Sequence, residues 1–312
     1  MKLGPALLRL FLLLLVVAAA GQYWLVQRSH EAAKRVIARL IPYGELRYDK
    51  LWPWPWGAGR VWNVSFQPEG LSKLFFLVPD RFRMTAREVR IDALGLTDDG
   101  LLDHVRGTLV GVEIPVSTRK AGPAGADPAA DPLPTLHDLG YTRLALDVDF
   151  QVQYLPDENL AVVKLNGAGP ELGRFFLSAQ LEGTPATFSR TPDQVLVRRT
   201  TLELAEGGVL SKLKAVAAAR SHLSRPAWEQ AMIAGLDRKA AAAKWQWDAE
   251  SAQAVRRAIR DSDYFTVGID PPGDVVLRNI RLYPVGDWPA LLGFTFAADG
   301  AFDHPPPGDG KP

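Results

Sequence analysis

Residues 141–155, YTRLALDVDFQVQYL, set Leu144, Leu146, Val148, Phe150, Val152 and Tyr154 in alternation with Ala145, Asp147, Asp149, Gln151 and Gln153. Successive side chains of a strand point to opposite faces, so this period of two predicts one long strand with a dry side and a wet side. Such a strand needs partners, because a lone pair of strands is marginal in water. The same rhythm supplies them in RVWNVSF (Trp62, Val64, Phe66), EVRIDA (Val89, Ile91, Ala93), RFFLSAQLEG (Phe175, Leu177, Ala179, Leu181) and YFTVGID (Phe265, Val267, Ile269). In VLVRRTTLELA the phase slips between Val197 and Leu202, which predicts a bulge near Arg198 and Arg199. LPDENL and NGAG predict turns between neighbouring strands, and hence antiparallel meander connections. No strand–helix–strand rhythm appears, which argues against a doubly wound sheet.

Two helical regions interrupt the alternation. HEAAKRVIARLI, residues 30–41, carries a stripe of Ala33, Val36, Ile37, Leu40 and Ile41 and ends at Pro42. Its apolar face is expected either to cover one end of the sheet or to lie on a bilayer surface. Residues 207–260 predict two to three helices, with Ser224 and Pro226 marking one start and Asp248 capping another. Trp228, Met232, Ile233 and Leu236 form the apolar stripe of the first of these. Residues 120–135, KAGPAGADPAADPLPT, cannot bury a core and read as a mobile loop, and residues 303–312 read as a disordered tail.

The first thirty residues bear on location. From Leu10 to Gly21 every residue is apolar or glycine, and Tyr23 and Trp24 follow as an aromatic belt would. Residues 1–28 are therefore expected to form a transmembrane signal-anchor in a bacterial inner membrane, with residues 29–302 as a periplasmic β-rich domain. The alternative is a secretory signal cleaved near Ala20, after an h-region from Leu10 to Val17. Arg28, Lys34, Arg35 and Arg39 follow the span and conflict with a simple positive-inside count, although long domains translocate largely regardless of such charges.

The chemistry suggested by composition is sparse. The 36 basic and 35 acidic side chains give a formal charge of +1, without the excess that nucleic-acid binding needs. The chain has no cysteine, which removes disulfides, thiolate zinc sites and thiol nucleophiles. His30, His104, His137, His222 and His304 show no metal-ligand spacing, and nucleophile-elbow, Walker and dinucleotide motifs are missing. The expectation is a protein that is not an enzyme, with no catalytic residue, no metal and no cofactor.

One stretch stands apart. LWPWPWGAGRVWNVSF, residues 51–66, holds four of the nine tryptophans. Each X-Pro step holds the preceding residue in extended geometry, so Trp52, Trp54 and Trp56 are expected on one side of the chain. They read as wedges at the end of the core, as an interfacial anchor, or as the lip of an apolar groove.

YGELRYDKL with GAGRVWNVSF, and the later YFTVGIDPPGDVVLRNI, resemble segments of AsmA-like bacterial envelope proteins. That resemblance covers about a tenth of the chain. It implies an inner-membrane anchor followed by a periplasmic, curved sheet, often with an apolar groove linked to lipid transport or envelope homeostasis. It supplies no catalytic residue. The fold expected for this chain is mainly β with a helical insert, a curved, largely antiparallel sheet that is groove-like or sandwich-like. The combined expectation is a membrane-anchored protein that binds or hands over a phospholipid or other apolar ligand in a sheet groove. Its candidate residues are Trp52, Trp54, Trp56, Trp62, Leu146, Val148, Phe150 and Val152. The alternative is a scaffold with a fully covered sheet that recruits a protein partner, undefined by the sequence, through an edge strand or the 120–135 loop.

Overall fold

The computed structural model describes residues 22, 25–31, 33–34, 37–38, 44–54, 56–68, 83–96, 102–116, 134–184, 187, 194–245, 248–261, 264–298 and 302–307. Its strands are β1 (Gly44–Arg47), β2 (Lys50–Pro53), β3 (Gly59–Pro68), β4 (Met84–Leu96), β5 (Leu102–Pro115), β6 (Arg143–Leu155), β7 (Leu160–Gly169), β8 (Gly173–Glu182) and β9 (Leu196–Glu206). Helices α1 (Val209–Arg220), α2 (Arg225–Ala242) and α3 (Ala249–Asp261) follow, then β10 (Tyr264–Ile269), β11 (Val275–Val276), α4 (Trp288–Leu292) and β12 (Phe294–Ala297). The twelve strands form one antiparallel sheet in the order β1-β3-β4-β5-β6-β7-β8-β9-β10-β12, with β2 on β3 and β11 on β9.

Register turns the alternation of each strand into rows across the sheet. One row runs Val61, Val89, Leu109, Val148, Gly167, Phe175, Leu204 and Phe265. The next row on that face runs Ile91, Gly107, Phe150, Leu165, Leu177, Leu202, Val267 and Phe296. Every member is apolar or glycine. Between them, on the opposite face, run Arg60, Arg90, Thr108, Asp149, Asn166, Phe176, Glu203 and Thr266. Only Phe176 in that row is apolar.

The dry face is most deeply buried around Ala86, Val112, Leu146 and Val148, which form one cluster packed by Val64, Val89, Leu109 and Phe175. The helices build a separate small core from Ala217, Ala218 and Trp228, with Met232 against it. Ser224 caps α2, accepting from the Ala227 N–H at 3.4 Å, with Pro226 in the first turn. The phase slip in β9 is a bulge at Arg198, the residue skipped between Gln180↔Arg199 and Leu181↔Val197. Arg198 donates to Glu182 and to Asp274, which hold its guanidinium above the ordinary value.

Helix α3 closes one edge of the sheet. Asp248 Oδ1 accepts the Ser251 N–H at 2.7 Å, and Ser251 Oγ in turn accepts the Phe296 N–H of edge strand β12 at 3.1 Å. A free edge invites pairing with another chain, and this contact occupies one of its donors. Ser251 is 3 % exposed, so Ser251→Ala leaves a covered N–H without its partner; a loss of about 1–3 kcal/mol is expected, read by urea unfolding. Hydrogen bonds from the Ser251 side chain and then its backbone hold the Asp248 carboxyl below the ordinary range. A lowered folded-state value gives stability that is full above the ordinary titration range and is lost as pH falls through the lowered value. The stability gap between wild type and Asp248→Asn is therefore expected to be widest near neutrality and to shrink in acid.

Several expectations are corrected. Among the described residues no helix is long and apolar enough to cross a membrane, so none of them supplies the transmembrane helix expected over residues 1–28, and the single-pass inner-membrane location with a periplasmic domain that rested on it is withdrawn; the apolar run from Leu10 to Gly21 lies outside the described residues. Residues 1–21, including the segment for cleavage near Ala20, lie outside the described residues. The strands form one continuous hydrogen-bonded sheet. The turn assigned to NGAG is also displaced: Asn166 to Gly169 belong to β7, and the chain reverses after it, with Gly173 at φ +79°. Gly167 is there for room, since a Cβ on it would sit 2.1 Å from the Phe175 ring. Of the helix expected over 30–41, residues 30, 31, 33, 34, 37 and 38 are described, and all are helical. In the 120–135 loop only residues 134 and 135 are described.

Candidate functional site

The eight residues singled out from the sequence divide between the two faces of the sheet. Leu146 and Val148 are 8 % and 7 % exposed and belong to the core cluster. Phe150 and Val152 continue the same dry face but are only half-buried. From β6 to β10 the two dry rows stay half-buried at Phe150, Leu165, Leu177, Leu202, Leu204 and Val267.

The tryptophans lie on the other side. Lys50 pairs with Trp62 and Trp52 with Arg60 across β2 and β3, and Lys50 Nζ lies 5.9 Å and 5.5 Å from the Trp52 and Trp62 ring centres. Trp54 and Trp56 are near-parallel, 14° apart with ring centres separated by 6.1 Å, and Arg60 sits 5.7 Å from the Trp54 ring centre. The expected clustering on one side of the chain is what is observed. That side faces polar residues, and Trp56 is 72 % exposed rather than wedged into a core.

Trp54 and Trp56 wall a cavity of about 650 Å³ on the wet face, within the size range of small-molecule sites. Its floor comes from β3 to β8 and brings four cations, Arg60, Arg90, Arg106 and Lys164, together with the carboxylates Asp92 and Asp149. Some of this charge is committed. Glu88, 8 % exposed, lies 3.3 Å from Arg60 and 3.2 Å from Arg90. Thr108 donates to Asp149 Oδ1 at 2.7 Å. Arg106 and Lys164 are exposed and form no ion pair among the described residues.

The far wall is Phe176, and it explains the position of the C-terminal segment. His304 stacks on Phe176 with ring centres 3.8 Å apart, and Phe302 meets His304 edge-on and lies under Arg174. Asn166 donates to the Pro305 carbonyl at 2.6 Å. Residues 302–307, of which 303–307 belong to the segment read as a disordered tail, thus lie along the wet face and cover its one apolar row member. His304 also meets Glu203 at 3.3 Å, and Tyr264 donates to Glu203 at 3.0 Å. Burial, partly opposed by the hydrogen bond from Thr266, raises the Tyr264 phenol above its ordinary value and keeps it a donor.

The polar members of this cavity were not singled out in the sequence. Each is an unremarkable wet position in its own strand, and only cross-strand register brings them side by side. The chain matches no protein-family model and no curated protein.

Proposed function

We propose that the chain is a non-enzymatic binding protein that holds the acyl part of a lipid along the dry face between β6 and β10. The supporting observation is the pair of adjacent dry rows, unbroken by a polar side chain from Phe150 and Val148 to Val267 and Phe265. Apart from the buried Val148 their side chains are half-buried, so the accessible strip is narrow. It suits a methylene chain better than a helix of about 10–12 Å diameter. Neither row offers a donor or acceptor to a peptide backbone. The AsmA-like resemblance implies the same ligand class.

The scaffold reading asks for an accessible edge strand. Here β12 has an edge N–H taken by Ser251, and β1 at the other end is four residues long with Glu45 and Arg47 in it. Both features are ways of blunting an edge.

Mass spectrometry of organic extracts from the purified chain, with displacement of a fluorescent fatty acid, tests the reading. The wild type is expected to carry lipid and to bind the probe saturably. Leu177→Gln removes apolar contact midway along the strip and is expected to weaken probe binding about tenfold while the far-UV spectrum is unchanged. A lipid-free chain that does not bind the probe would sink the proposal.

A further inference from the structure

We propose that the wet-face cavity walled by Trp54 and Trp56 is a separate site for an acidic saccharide, a sugar ring bearing a carboxylate or phosphate. It lies on the opposite face from the lipid strip and does not depend on it.

Three features of the cavity determine this ligand chemistry. The first is the exposed indole. Trp56 is 72 % exposed and Trp54 lies near-parallel to it. Indole faces pack against flat apolar surfaces while their rims remain compatible with water. The C–H face of a pyranose is such a surface, and its hydroxyls project from the rim.

The second is unspent positive charge. Arg106, Gln151 and Lys164 are neighbours on β5, β6 and β7, so the two cations stand two strand spacings apart, about 10 Å, with an amide between them. Glu88 already engages Arg60 and Arg90, whereas Arg106 and Lys164 have no ion-pair partner among the described residues. Two long, exposed side chains can converge on one anion above Gln151.

The third is the presence of carboxylates in the same cavity. Asp149 and Asp92 line it beside the cations. Carboxylates repel a polyphosphate track but accept hydrogen bonds, and a sugar hydroxyl is the donor they match. A ligand whose ring stacks, bears a negative group and presents several hydroxyls fits all three features. A nucleic acid fits only the first two.

Tryptophan fluorescence titration of the full chain at low ionic strength tests the proposal, with α-1,4-linked trigalacturonate as probe. Saturable quenching is expected, with α-1,4-linked galactotriose, its neutral counterpart, binding at least about tenfold more weakly because it cannot engage the cations. Trp56→Ala is expected to weaken the trimer about tenfold through loss of stacking. The double variant Arg106→Gln/Lys164→Gln is expected to abolish the preference for trigalacturonate over galactotriose. All three positions are exposed, and an unchanged melting temperature would confirm that the variants fold. Glucose 6-phosphate binding more tightly than the uronate supports the site with phosphate as its anion. The proposal is overturned if the chain binds none of these sugars or does not distinguish charged from neutral ones. It is equally overturned if inorganic phosphate alone or oligothymidylate binds more tightly than every sugar.

Discussion

Val148→Asp is expected to leave the chain unfolded at room temperature, with a loss of at least about 4 kcal/mol and no cooperative urea transition. Val148 is 7 % exposed in central strand β6, with Ala86, Val112 and Leu146 in its cluster. Its cross-strand neighbours are Leu109 and Gly167, and the adjacent dry row offers Gly107, Phe150 and Leu165. None of these groups can pair with or hydrogen-bond a carboxylate through its side chain. The charge must either be buried alone or be protonated far from its ordinary range, and either outcome opposes folding. The same introduced carboxylate three residues along the strand, Gln151→Asp on the wet face, lies between Arg106 and Lys164 and is expected to fold. Circular dichroism on the pair separates the effect of face from the effect of charge.

That contrast also marks what the sequence makes legible. Parity within one strand is local, so the dry side of β6 could be read from Leu144 to Tyr154 before any partner was known. The bulge at Arg198 was legible for the same reason, since a slipped phase is visible along a single segment. The Asp248 and Ser224 caps needed only their nearest neighbours. Register is different. Whether Arg106 sits beside Lys164 depends on the pairing of β5 with β6 and of β6 with β7. The first of these contains an irregularity between Leu109 and Val112, with Gly111 at φ +62°. No single strand encodes that offset.

The glycines show the opposite error. NGAG looks like a turn because glycine favours turns, yet Gly167 is used to admit the Phe175 ring beside the backbone. The tryptophan stretch was legible in part. Alternation with proline places its rings on one side, but pairing of Lys50 with Trp62 decides that this side is the wet one. The apolar N-terminal run from Leu10 to Gly21 lies outside the described residues, among which no helix is long and apolar enough to span a membrane.

Glycine packing leads to the second large effect, Gly107→Ala. A Cβ at Gly107 would stand 2.0 Å from the Arg90 carbonyl oxygen and 2.9 Å from Cζ of Phe150. The first contact is with backbone of the paired strand β4, so it is relieved only by moving strands apart where Arg90 pairs with Thr108 and Ile91 with Gly107. Overpacking of this kind costs about 1–3 kcal/mol, and a weakened ladder hydrogen bond adds about 1 kcal/mol. Gly167→Ala is the informative comparison, because its Cβ would meet only the Phe175 ring within 2.9 Å. A ring can be shortened, so Phe175→Leu is expected to restore most of the stability lost in Gly167→Ala. Phe150→Leu is expected to restore little in Gly107→Ala, since the carbonyl of Arg90 remains in place. Urea unfolding of the two double-mutant cycles reads the difference directly. Equal rescue at both positions would mean that side chains, and not the β4–β5 backbone, set the limit at Gly107.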